Sequence, residues 1–217
     1  MPRSARIAFD EGLYHVLNRG VNKQPIFLSD EDYHTFLKRL EALHTKLGYD
    51  HIVYAYMLMP NHFHILLQTR KIPLAKIMTS LLTSYAMRFN KANERVGVVF
   101  QNRFKSKLCD SESYFLTGSR YILLNAIHAG LSTRLEDYTW SSFQELFGAS
   151  QYHIIDQGEV IRLTGESGKS KDAYYQFLLD GIKLGDMETE YGFDRETEGS
   201  ALFNSLAQKK FFRRKKK

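Results

Sequence analysis

Ile52-Val53-Tyr54-Ala55-Tyr56-Met57-Leu58-Met59, then Pro60-Asn61, then His62-Phe63-His64-Ile65-Leu66-Leu67-Gln68-Thr69 decides the fold. Two apolar runs of strand length, rich in aromatic and β-branched residues, flank a two-residue break, the pattern of an antiparallel hairpin. Pro60 has no N–H to give to a ladder, so it belongs in the turn and not inside a strand. The strand period of two then sends His62 and His64 to one face and Phe63 to the other.

Working outward, Gly12 to Asn18 alternates Leu13, His15 and Leu17 against Tyr14 and Val16, a short first strand closed by Asn18-Arg19-Gly20. Ser29 or Asp30 caps a helix with apolar positions at Tyr33, Phe36, Leu37, Leu40, Leu43 and Leu47, ending at Gly48. After the hairpin, Leu74 to Ala92 carries Ile77, Leu81, Tyr85 and Phe89 on one helical stripe. Val96 to Leu108 reads as a fourth strand with Arg103, Lys105 and Lys107 on alternate positions. Strand, helix, strand, strand, helix, strand is the split βαβ order of the ferredoxin-like α+β fold, an antiparallel sheet with both helices on one side. One sheet face is left open. A third helix, starting at Ser111 or Ser113 and stopping near Gly130, is the element available to cover it. Domain organisation is expected as 1–148 for the catalytic unit, 149–208 for a helical extension centred on Ala173 to Leu184, and 209–217 for a basic tail.

At 217 residues with 43% hydrophobic and 25% charged side chains, the chain has enough apolar material for a buried core. Its longest near-apolar stretch is the eight residues from Ile52 to Met59, far short of the roughly 20 that span a membrane. Residues 1–10 lack an apolar signal core, so a cytoplasmic location without membrane partners is expected. Cys109 is the only cysteine, which excludes an internal disulfide and a cysteine-based zinc cluster. The net charge of +6 is unevenly spread. Residues 1–148 carry 18 Lys and Arg against 13 Asp and Glu, residues 149–208 carry 5 against 11, and residues 209–217 carry 7 against none. Basic ends around an acidic middle suit a polyanionic partner such as nucleic acid; a solvated surface with a solubilising tail is the alternative.

Chemistry enters with the His pair. Side chains two apart on a strand are about 7 Å apart at Cβ, so both imidazoles can lean onto one metal ion. Two polar side chains on a solvated sheet face give the same pattern. Tyr121 and Asn125, four apart on the third helix, project from one helical face. If that helix crosses the sheet over His62 and His64, Asn125 offers an oxygen ligand and Tyr121 a phenolic nucleophile; the alternative is a Tyr among 13 that packs a helix. Tyr114 is the weaker candidate, because its i+4 neighbour is Gly118. Gly165-Glu166-Ser167-Gly168-Lys169-Ser170 imitates a phosphate-binding loop but has Leu163 where the first Gly belongs, so no nucleotide cofactor is expected. His15, on the first strand, can approach the metal; the alternative, an ordinary strand residue that packs or hydrogen-bonds, is the favoured one.

The ordered set Tyr14-His15-Val16, Asn18-Arg19-Gly20, Met59-Pro60-Asn61-His62-Phe63-His64, Phe100-Gln101-Asn102-Arg103-Phe104, Arg120-Tyr121-Ile122, Asn125, Ala129-Gly130-Leu131 and Trp140-Ser141-Ser142 resembles the HUH-type single-tyrosine transposases. Within them it is most similar to the REP-associated tyrosine transposases and their insertion-sequence relatives, over about residues 8 to 147. The resemblance implies that His62 and His64 are paired metal ligands, Asn125 the third ligand and Tyr121 the nucleophile, with one Mg²⁺ or Mn²⁺ ion. It implies a 5′-phosphotyrosine intermediate, single-stranded and hairpin DNA as substrate, and action as a monomer or homodimer. Family members usually follow the Asn with Pro and carry Arg at the third position after it; here these are Ala126 and His128. Arg19, Arg103, Lys105, Lys107 and Arg120 are candidate phosphate contacts, and Phe104 a candidate exposed platform for unpaired bases. A hairpin-binding protein without turnover and a replication-initiator or relaxase-like nickase are the competing readings.

Overall fold

A computed structural model describes residues 11–109, 113–164 and 171–184. Strand β1 (Leu13–Arg19) is followed by helix α1 (Asp30–Thr45), the hairpin β2 (His51–Met59) and β3 (His62–Thr69), helix α2 (Leu74–Ala92), and strand β4 (Lys105–Cys109). The four strands form one antiparallel sheet in the order β2-β3-β1-β4, the ferredoxin-like arrangement. Helices α3 (Ser113–His128), α4 (Phe143–Phe147), α5 (Gln157–Leu163) and α6 (Lys171–Leu184) follow.

The hairpin turns on Pro60-Asn61, and its register sets Met57 opposite His64 and Leu58 opposite Phe63. Phe63 is fully buried and its ring lies 5.0 Å from Phe36 of α1, which identifies the face covered by α1 and α2. Helix α1 begins in a capping box in which Ser29 and Asp32 satisfy each other's backbone N–H groups. Its apolar stripe is buried through Leu43, but Leu47 lies past the helix end and is 55% exposed. In α2, Ile77, Leu81, Tyr85 and Phe89 are all buried, as the helical stripe requires. Phe27, Tyr33 and Trp140 stack in sequence, with ring centroids 4.3 and 4.4 Å apart, and tie the 138–142 segment to α1.

Helix α3 packs against β2 and β3 on the opposite face, so the open side is covered as the element order anticipates. It stops at Gly130, whose φ of +68° is a left-handed conformation that favours glycine. Helix α6 packs on α3: the Tyr174 hydroxyl donates to Ser119 Oγ at 2.9 Å, and the Arg120 guanidinium sits 4.3 Å over the Phe177 ring. The outer edge of β2 is occupied by later chain. Leu58 N–H donates to the Trp140 carbonyl, Ser142 N–H to the Tyr56 carbonyl, and Ile155 bridges Val53. An edge so paired is closed to another strand.

The fourth strand is shorter than its alternating pattern suggests. Only Lys105–Cys109 forms a ladder with β1; before it the two segments meet at an isolated bridge between Phe100 and Gly20, at the Gln101 N–H bond to the Arg19 carbonyl and at the Asn18 Nδ2 bond to the Asn102 carbonyl. Gly97, at φ +102°, turns the chain there, and Val96 and Val98 stand exposed instead of alternating into a core. Alternation without a partner strand does not make a ladder. The Gly165 to Ser170 stretch, the acidic segment after 184 and the basic tail fall outside the described residues.

Candidate active site

The registers assemble one face of the sheet from separate stretches of sequence. On β3 it carries His62, His64 and Leu66; on β1, Arg19, Leu17 and His15 lie directly opposite them. On β4, Lys105 and Lys107 lie opposite Leu17 and His15. Since residues paired across strands share a face, His62, His64, His15, Arg19, Lys105 and Lys107 all belong to the side covered by α3.

The His62 and His64 rings are 5.1 Å apart. Tyr121, one of the inward residues of α3, brings its ring to 5.8 Å from that of His64 and 5.8 Å from that of His15. It is 9% exposed, so the phenol sits at the edge of the helix–sheet interface. The structure therefore gathers Tyr121, His64, His15 and His62 from α3, β1 and β3. Asn125 is half-buried one turn beyond Tyr121, and its Nδ2 donates to the Tyr121 carbonyl at 2.7 Å. That bond uses the donor end of the carboxamide and couples Asn125 to the residue bearing the phenol.

Each ring of the pair is held through its Nδ1. His62 Nδ1 lies 2.6 Å from Asn61 Oδ1, and His64 Nδ1 lies 2.9 Å from His15 Nε2. Asn61 is oriented by its other end, since its Nδ2 donates to the Lys23 carbonyl at 3.1 Å. Burial, followed by the charges of His15, His62 and Arg19, holds His64 well below the ordinary imidazole value. Full burial, followed by the positive charge of Lys107, brings His15 down to about 3. Both rings are thus neutral near pH 7, the form that can offer a lone pair to a metal. Among the described residues no group of three or more His, Cys, Asp or Glu surrounds a common point. The imidazoles of His62 and His64 are a nitrogen donor pair on this face, a kind of donor that suits a divalent ion accepting mixed nitrogen and oxygen ligands.

The remaining candidates divide. Arg19 ends β1 opposite His62, and Lys105 is exposed on the same face. Arg103 is exposed just before β4. Phe104 is 5% exposed, which corrects the expectation of an open stacking platform: its apolar ring is more stable inside than in water. Arg120 follows α3 around to α6, where its guanidinium covers Phe177 and its Nε is buried without a hydrogen-bond partner. The sequence reading placed His15 as a strand residue able to approach the metal and set it aside as an ordinary one; Asn61 was legible only as a turn residue, although a carboxamide directly before a His was a signal. A separate cleft of about 600 Å³ near Glu41, His51, Arg70 and His153 contains none of the site residues. No helix among the described residues is long and apolar enough to cross a membrane.

Residues 9–125 match the family model described as "Transposase IS200 like". Among solved structures, a REP-associated tyrosine transposase bound to a REP hairpin is similar over 78% of this chain and 98% of its own, with a TM-score of 0.56 at 17% identity, a likeness of fold. A candidate transposase from Deinococcus radiodurans R1 aligns over 56% of this chain and 94% of its own, at 20% identity and a TM-score of 0.38. No curated protein matches the chain.

Proposed function

Because the chain belongs to the IS200-like, HUH-type single-tyrosine transposases, we propose that it is a metal-dependent single-stranded DNA endonuclease and strand transferase that acts beside DNA hairpins through Tyr121. The observation that carries this reading is the phenol of Tyr121 beside the His64 ring on the sheet face bearing both histidines. Tyr121 Oη gives up its proton as it attacks phosphorus in line; the new Oη–P bond replaces the P–O3′ bond. This leaves a 5′-phosphotyrosine and a 3′-hydroxyl that takes up a proton. The phosphate ester energy is conserved, so a second 3′-hydroxyl can reverse the step and join strands.

His62 and His64, each engaged at Nδ1, would hold a metal through Nε2, and Asn125, whose Nδ2 is engaged, through Oδ1. A divalent ion held there would supply positive charge to offset that of the scissile phosphate. Arg19, Lys105 and Lys107 share that face and suit the flanking phosphates, with Arg103 beside them. The packing of Tyr121 against the sheet limits its swing, which orients the phenol before attack. Imidazole ligation favours later metals, so Mn²⁺ supports activity at least as well as Mg²⁺.

A labelled single strand flanking a hairpin, incubated with Mn²⁺, tests the reading. The wild-type protein forms a covalent adduct stable to denaturant, chelation stops it, and Tyr121→Phe forms none while still shifting the hairpin in a gel. An equally strong adduct from Tyr121→Phe overturns the assignment of the nucleophile.

A further inference from the structure

The two histidines are braced from behind by different chemistry. Asn61 presents Oδ1 to His62, because its Nδ2 is committed to the Lys23 carbonyl. An amide oxygen only accepts, so His62 carries its proton on Nδ1 and its Nε2 has a lone pair. His64 has no such one-way partner at Nδ1. It faces another imidazole nitrogen, Nε2 of the fully buried His15, at 2.9 Å. One proton lies between two neutral rings, and there are two ways to place it. If His15 donates, His64 is the Nε2–H tautomer and Nε2 has no lone pair. If His64 donates, its Nε2 can ligate.

Resting on the metal-site reading above, we propose that His15 is a positioning residue for His64. It accepts a hydrogen bond from His64 Nδ1–H and so holds His64 in the tautomer whose Nε2 can bind the metal. His15 comes from β1, 49 positions away in sequence, and is set there by the register that puts Leu17 opposite His64. Its ring is also 5.8 Å from Tyr121, so the same side chain helps to fix the spacing between phenol and ligand. Partners behind metal-binding histidines typically change metal affinity by 10- to 100-fold when removed. His15→Leu is therefore expected to weaken Mn²⁺ binding by that factor. His15→Gln, whose Oε1 can accept close to the position of Nε2, is expected to restore most of it.

The test uses the full chain and two readouts. Long-range ¹H–¹⁵N spectra of the metal-free protein with labelled histidine report each tautomer directly. His64 is expected as Nδ1–H in wild type and in His15→Gln, with a loss of that tautomer in His15→Leu. Mn²⁺ titration followed by the paramagnetic resonance signal of the free ion gives the affinities, and thermal unfolding without metal reports any common structural loss. A wild-type His64 found as the Nε2–H tautomer overturns the proposal. So does a His15→Leu protein that binds Mn²⁺ as tightly as wild type, or a His15→Gln protein as impaired as His15→Leu. If wild type itself binds no Mn²⁺, the metal-site reading fails, and the tautomer spectra still decide what His15 does to His64. If His15→Leu does not fold, the wild-type spectrum and the His15→Gln affinity carry the decision.

Discussion

Glu145 is the strongest single prediction about stability. The residue is 6% exposed and its carboxylate accepts three hydrogen bonds: from the Tyr56 hydroxyl at 2.8 Å, Ile154 N–H at 2.8 Å and Ile155 N–H at 3.1 Å. It thereby fastens the 154–156 segment to the outer edge of β2, where Ile155 bridges Val53 and Asp156 N–H donates to the Val53 carbonyl. Glu145→Ala leaves a phenol and two amides without their acceptor. A buried orphaned donor costs about 1–3 kcal/mol, and water entering the vacated volume returns part of that, so the expected loss is about 3–5 kcal/mol. Glu145→Gln keeps one acceptor but turns an NH₂ toward a donor, and is expected to lose about 2 kcal/mol. The exposed Arg162–Glu159 pair, at 2.7 Å, is the contrast: Arg162→Ala is expected to lose less than about 1 kcal/mol despite its good distance. Urea unfolding at pH 7.5, with midpoint and slope both recorded, reads these differences. A loss under about 1 kcal/mol for Glu145→Ala, with an unchanged slope, would refute the accounting. Folded Glu145→Ala protein should still form the DNA adduct, because Tyr56 pairs with Ile65 on the face away from His64.

Acid should destabilise the metal-free protein. His15 is held at about 3 by burial and then by Lys107, against the ordinary 6.5, so below 6.5 the unfolded chain takes up a proton that the folded one refuses. Between pH 7.5 and 5.0 this one ring lowers stability by about 2 kcal/mol, with His64 acting in the same direction, and stability is flat with respect to both rings above 7.5. Glu145 has the opposite sign: burial outweighs its hydrogen bonds and raises its pKa, so its contribution grows as pH falls. Unfolding curves in chelator at the two pH values check this, and equal stabilities would contradict it. Replacing Lys105 and Lys107 together by Ala should lower the slope of log affinity against log salt for hairpin DNA by about 1.5, since each phosphate contact is worth about 0.7–0.9. An unchanged slope would remove both from the interface.

Local pattern carried most of the fold. The hairpin, the capped first helix, the stripe of α2 and the stop of α3 at Gly130 were all legible, because periodicity and turn chemistry act between residues close in the chain. Where a pattern lacked its long-range partner the reading failed. Val96 to Phe104 alternates as a strand does, yet only Lys105–Cys109 forms a ladder with β1. Phe104 belongs to a basic stretch that invites an exposed role, and it is buried. Nothing near Glu145 in sequence announces that Tyr56, 89 positions earlier, will bond to it.

The site divides along the same line. That His62 and His64 share a face, and that Tyr121 and Asn125 share another, follows from the periods of strand and helix, which are properties of the backbone alone. That the two faces meet, and that His15 stands behind His64, depends on strand register and on where α3 crosses the sheet. Those are set by how the whole core packs, a balance among contacts distant in sequence that no local window contains.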